Sequence, residues 1–151
     1  MKFSIDYNSK KENRLLTYNV NEYGFDMEPY NYSTNINLTL NYLDLMVFNK
    51  NVIAILGFCG FGTWIKSNYN VPQYKEGSLK IVDNLKEGVG AYRINKEDLP
   101  VYVNTQTGWI CIGNPEKKGE AVEFINNCVA IIDDDQELVS LWLKPEKLPD
   151  I

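Results

Sequence analysis

Asp133-Asp134-Asp135, followed by Glu137, is the densest run of carboxylates in the chain, and alternating carboxylates are what a hard cation such as Ca²⁺ or Mg²⁺ takes as ligands. A Ca²⁺ loop also needs a glycine at its bend and a distal acidic ligand, and neither stands at the required spacing. The run reads as a solvated turn or an acidic surface offered to a partner ahead of a metal site, so no metal is expected.

Gly57-Phe58-Cys59-Gly60-Phe61-Gly62 is the second constellation. A glycine cluster after an apolar strand lets backbone amides approach a phosphate, but neither dinucleotide-loop spacing nor a Lys-Ser/Thr phosphate loop is present. A bulged turn or a close approach of two backbones accounts for it better.

Cys59, Cys111 and Cys128 are odd in number, widely spaced and without a Cys-x-x-Cys pair, which suits buried small hydrophobes in a reducing compartment. The chain has no histidine at all. That removes the Ser-His and Cys-His nucleophile pairs, the histidine general base and every histidine-containing metal site. Twenty acidic side chains leave a paired-carboxylate mechanism open, but nothing singles out a pair. Enzymatic activity is therefore not expected, nor is a cofactor.

Charge is placed unevenly. Residues 115–151 hold nine acidic and four basic side chains, so the whole net charge of −5 comes from the last quarter of the chain. A negative field of that kind attracts a basic partner and speeds encounter. It also counts against nucleic acid, because phosphate binding needs a basic face and a pI near 4.8 with two arginines supplies none.

The elements that must position these residues read as strands. From Ile36 the pattern alternates, with Ile36, Leu38, Leu40 and Tyr42 on one face; near Tyr42 the phase slips to Leu43, Leu45 and Val47, which predicts a bulge or strand break there. One helix from Leu38 to Val47 is the alternative. Asn49-Lys50-Asn51 is a turn signal before Val52 to Phe58, an apolar run suited to a central strand buried on both faces. Thr63 to Tyr69 and Gly88 to Ile94 read as strands, Leu79 to Leu85 as strand or short helix, and the first thirty-four residues as one or two edge strands.

Val101 to Asn104 and Trp109 to Ile112 flank a turn in which Gly108 supplies positive φ. Ala121 to Ile125, Cys128 to Ile132 and Leu138 to Leu143 then follow as an antiparallel meander, with a helix from Ala121 to Asn127 as the competing reading. The expectation is one mainly β domain spanning residues 1–151, an antiparallel sheet or sandwich with one or two short helices at most, and α+β as second choice. The longest apolar run is far short of the ~20 residues of a membrane helix. With no secretory leader recognised, the expected location is the cytoplasm and the favoured state a monomer.

A short, acidic, His-free, Tyr- and Asn-rich chain with strands such as Gly108-Trp109-Ile110-Cys111-Ile112-Gly113-Asn114-Pro115 and Glu137-Leu138-Val139-Ser140-Leu141-Trp142-Leu143 resembles the immunity proteins that bacteria pair with polymorphic toxins, including those of contact-dependent growth inhibition. The resemblance implies a stoichiometric inhibitor that binds a cognate toxin domain, a basic nuclease above all, and occludes its active or substrate-binding face. On that reading Asp133, Asp134, Asp135, Glu137, Glu120, Glu123 and Trp109 form the partner-binding surface, its carboxylates imitating phosphates. The alternative is a small ligand-binding β domain or enzyme with a Tyr/Trp-lined pocket around the glycine cluster.

Overall fold

A computed structural model describes all of residues 1–151. In chain order the strands are β1 (Phe3–Asp6), β2 (Leu15–Asn19), β3 (Gly24–Glu28), β4 (Ile36–Leu40), β5 (Leu43–Phe48), β6 (Asn51–Phe58), β7 (Ile65–Lys66) and β8 (Lys75–Glu76). They continue as β9 (Ser78–Ile81), β10 (Ala91–Arg93), β11 (Val101–Val103), β12 (Ile110–Gly113), β13 (Glu120–Ile125), β14 (Cys128–Ile132) and β15 (Leu138–Leu143). The only helical turn is a single 3₁₀ turn at Phe61–Thr63, so the fold is mainly β as the patterning predicts, and all three helix alternatives fall.

The first sheet runs β1-β9-β6-β5-β4-β10, with the β2–β3 hairpin attached to the C-terminal end of β6; the second runs β7-β11-β12-β15-β14-β13-β8. Pairing is antiparallel except for three short parallel contacts, β10 on β4, β7 on β11 and β8 on β13. A single cluster of 28 buried residues joins the sheets, with Leu38, Leu45 and Ile55 from one meeting Ile110, Phe124 and Leu141 from the other. Each such fully buried side chain contributes about 1.5–3 kcal/mol relative to exposure.

The phase slip near Tyr42 is a two-residue turn. Leu40 pairs with Leu43 and Asn41 sits at φ 52°, a conformation asparagine tolerates, so Tyr42 is carried out of both sheets. The glycine cluster is the close approach. Gly24 pairs with Phe58 and Phe25 with Gly57, and a Cβ on Gly24 would stand 2.5 Å from the Gly57 carbonyl oxygen.

Three expectations need correction. The first thirty-four residues form three strands, because Leu15–Asn19 and Gly24–Glu28 pair with each other over five residues before docking on β6. The strands expected over Thr63 to Tyr69 and over Gly88 to Ile94 are confined to Ile65–Lys66 and Ala91–Arg93. After Lys66 the chain leaves one edge of the second sheet and reaches the opposite edge at Lys75, over six inter-strand gaps. At ~4.8 Å per gap this is about 29 Å, close to the reach of the intervening residues at roughly 3.3 Å each. Residues 67–74 accordingly cross without a turn.

This strap covers a second apolar layer on the outer face of the sheet. Tyr69 and Val71 pack on Trp109, Cys111, Val129, Ile131 and Trp142, and the Tyr74 ring meets Trp109 at 6.3 Å. The final strand is thus apolar on both faces because both are covered, Leu141 and Leu143 by the core and Trp142 by the strap. No helix is long and apolar enough to cross a membrane.

Candidate binding cleft

The turn that expels Tyr42 also builds a wall. The Asn41 side-chain oxygen accepts the Leu99 N–H at 2.8 Å and its amide donates to the Leu99 carbonyl at 3.0 Å. Asn95 closes the clamp, its amide donating to Asn41 Oδ1 at 2.9 Å while its own oxygen accepts the Asn41 backbone N–H at 3.0 Å. A single asparagine in a hairpin turn thereby holds the segment that leads to Pro100 beside the β4–β5 hairpin.

Between that segment and the glycine-rich loop lies a cleft of about 500 Å³, floored by Cys59 and Trp64 and flanked by Tyr42, Phe58, Ile65 and Leu99. Tyr42 and Phe58 meet edge to face at 6.0 Å across its mouth. Gly60 turns beneath the Phe58 ring, where a Cβ would come within 3.1 Å. Under the floor, Tyr18 contacts Phe25 and Trp64 edge-on at 5.0 and 5.1 Å, and its hydroxyl donates to the Cys59 carbonyl at 2.7 Å. Tyr23 stacks on Phe61 at 5.6 Å on the outer flank of the same loop.

The lining of the cleft is mostly apolar and aromatic. Burial pushes the Cys59 thiol up to about 11, opposed by the neighbouring Trp64 N–H, so at neutral pH it is no nucleophile. Burial likewise pushes the Tyr18 phenol up to about 12. The one lining carboxylate, Asp98, is ion-paired with Arg93 at 3.0 Å. An acid-base pair is absent, while four large side chains around the loop remain about half exposed: Tyr42 at 61%, Phe58 at 52%, Tyr23 and Ile65 at 49%.

The sequence-predicted site residues are only partly brought together. Register places Glu120 opposite Ile132, and Ile132 opposite Leu138, so Glu120, Asp134, Asp135 and Glu137 share one end of the second sheet and are exposed. Asp133 is at that end but works as the turn's own acceptor. Its Oδ1 takes the N–H groups of Asp135 and Glu137 at 3.0 and 2.9 Å and its Oδ2 takes Lys117 Nζ at 3.1 Å. The backbone bond from Glu137 is the leading reason its carboxyl is held below the usual range.

Glu123 has to be corrected, because it is 6% exposed, lies farther down β13, and is bound by Lys11 Nζ at 2.8 Å and by the Asn127 N–H at 3.0 Å. Trp109 is buried too, under the strap, and cannot touch a partner while the strap is in place. No group of three or more Cys, Asp or Glu side chains is placed to hold a metal ion.

Sequence reasoning pointed to a Tyr/Trp-lined pocket around the glycine cluster, which includes Phe58, but passed over Tyr42, Asn41 and Asn95 as parts of it. The usable sign was an aromatic inside a two-residue turn, where no inward face exists to bury it. No protein-family model matches the chain, and no curated protein shows significant similarity to it.

Proposed function

We propose that the protein acts by binding another protein through the aromatic cleft and the acidic end of the second sheet, covering that partner's working surface as immunity proteins cover the toxin domains they neutralise. The observation that carries this reading is the half-exposed Tyr42, Phe58 and Ile65 lining one cleft, with half-exposed Tyr23 on the outer flank of its loop. Large apolar side chains gathered at one surface mark an interaction site, and aromatic anchors supply most of the energy of such contacts. Asp134, Asp135, Glu137 and Glu120 add a negative edge suited to a basic toxin domain such as a nuclease.

A small ligand in the same cleft is the second reading, favoured by a volume of about 500 Å³ within the usual range for such sites. Against it, the one carboxylate that lines the cleft is already engaged by Arg93.

The test is growth rescue. A candidate toxin domain, taken from a neighbouring gene that encodes a large secreted protein, is expressed with and without this chain. Growth restored by the chain and lost again with Tyr42→Ala/Phe58→Ala is the expected result. Arrest that the intact chain does not relieve, for every such candidate, removes the proposal.

A further inference from the structure

The cleft does not end at Pro100. Leu99 and Pro100 also form the near wall of a second cleft of about 400 Å³, whose far side is Tyr102, Pro115 and Glu116. Tyr69 stands edge-on to Tyr102 at 5.3 Å there. The two clefts lie on either side of a Leu-Pro ridge, the first toward the inter-sheet core and the second toward the strap, so a groove joining them passes over the end of β11, and the ridge is fixed at both ends. Asn41 holds Leu99, and the Pro100 carbonyl accepts the Gly113 N–H at 3.0 Å.

Three observations define what fits. The only charged residues lining the groove are Asp98 and Glu116, both carboxylates. Asp98 is paired with Arg93, but no lysine or arginine lies within ion-pair distance of Glu116. Glu116 is also held in place, its Oε1 accepting the Tyr69 hydroxyl at 2.9 Å and its backbone N–H bonded to Asn114 Oδ1 at 3.0 Å. Finally, β7 is the terminal strand of the second sheet and pairs only with β11, so one side of Ile65–Lys66 offers unpaired backbone groups beside the first cleft.

We propose that this groove receives an extended, basic segment of the partner protein. An apolar or aromatic side chain of the segment seats over Cys59 and Trp64, its backbone runs along the open edge of β7, and a lysine or arginine beyond the Leu-Pro ridge pairs with Glu116. An extended chain suits a ridged groove with a free strand edge, whereas a helix presents no backbone donors to that edge. The preorganised carboxylate selects the basic residue, and the aromatic mouth supplies the contact area. The acidic turn at Asp133–Glu137 lies at the same end of the sheet, since Gly113 pairs with Ser140, but Lys117 and Lys118 border that turn, so Glu116 is the charge the segment meets.

The inference rests on reading this face as the binding surface, and its test is separate from growth rescue. A phage-displayed library of linear peptides is panned against the intact chain, and enriched sequences are synthesised and titrated by fluorescence anisotropy. Enrichment of a lysine or arginine at fixed offset from an aromatic or large aliphatic residue is expected. Tyr42→Ala/Phe58→Ala, both at exposed positions, should weaken binding at least tenfold. Glu116→Gln should weaken it roughly two- to fivefold, the range of a surface ion pair. Replacing the peptide's basic residue by glutamine should cost the same in the intact chain and nothing further in Glu116→Gln.

Recovery of no basic-plus-apolar pattern, or additive losses from the peptide and Glu116 substitutions, overturns the inference. Growth rescue without peptide enrichment removes the segment and leaves the inhibitor reading standing; peptide binding without rescue does the reverse.

Discussion

Lys11 and Glu123 form the most enclosed ion pair in the molecule, at 2.8 Å, with Glu76 a second carboxylate on the lysine at 2.9 Å. Removing Glu123 leaves Lys11 with only the exposed Glu76 and the Asn127 N–H without its acceptor, so Glu123→Ala should destabilise the fold by about 2 kcal/mol, read from the urea midpoint. Glu76→Ala, at an exposed carboxylate, should change it by less than about 1 kcal/mol. A midpoint equally insensitive to both would show that the pair adds nothing. The same geometry explains why Glu123 was taken for a partner-binding residue. Counting charges along a chain sees nine carboxylates after residue 114 but not that one of them is turned beneath Lys11, a residue more than a hundred positions earlier. The cysteines were legible, because isolated apolar-flanked thiols are buried as a rule, and all three are free and buried here.

At the scale of elements, the approach of β3 to β6 sets the floor of the cleft. Gly24→Ala would drive a Cβ into the Gly57 carbonyl, a backbone atom that cannot swing aside, and should cost more than about 2 kcal/mol while loosening the Tyr23–Phe61 stack. The strap is a weaker element, joined to the sheet by two-residue pairings at its ends and by Tyr69, Val71 and Tyr74 between them. Val71→Asp should release it without unfolding the core. Faster amide exchange over residues 67–74 and stronger iodide quenching of tryptophan are the expected readouts, and exchange that rises equally in β5 and β6 would refute a separate unit. What was legible at this scale was local. The β11–β12 hairpin and the β13–β15 meander join neighbours through short turns, so alternation and turn residues suffice to place them. Strands β7 and β10 were misjudged in extent and β8 was missed because each exists through a two- or three-residue parallel pairing with a distant strand, for which neither turn chemistry nor periodicity leaves a trace. The cleft was half legible for the same reason, with the glycine loop visible in the chain and the Asn41–Asn95–Leu99 clamp arising only from contacts more than fifty residues apart.

For the molecule as a whole, the shifted groups define a pH window of stability. On the acid side Asp6 and Asp133 are held below the usual carboxylate range, Asp6 first by the Ser9 hydroxyl and Asp133 first by the Glu137 backbone. A depressed folded value means stability present above the ordinary pKa and lost as pH falls through the folded one, but both groups sit in surface turns and are only partly buried, so the acid limb should be shallow. The alkaline limb is carried by buried groups. Burial pushes Cys59 to about 11, Cys111 to about 12 and Tyr18 to about 12. Lys11 is raised too, because although desolvation opposes it, its bonds to Glu123 and Glu76 prevail. In all four the folded state holds its proton to higher pH than the unfolded chain does, so their contribution is whole below the ordinary values and erodes above them. The Tm should therefore stay level through neutral pH and begin to fall near pH 9, the ordinary thiol value, more steeply than it falls toward pH 4. Cys111→Ala should moderate the alkaline slope at the expense of a lower plateau, since it removes one ionisable group and leaves a small void beneath the strap. A Tm profile symmetric about neutrality, or an alkaline slope indifferent to Cys111→Ala, would locate the loss elsewhere than in these interior groups.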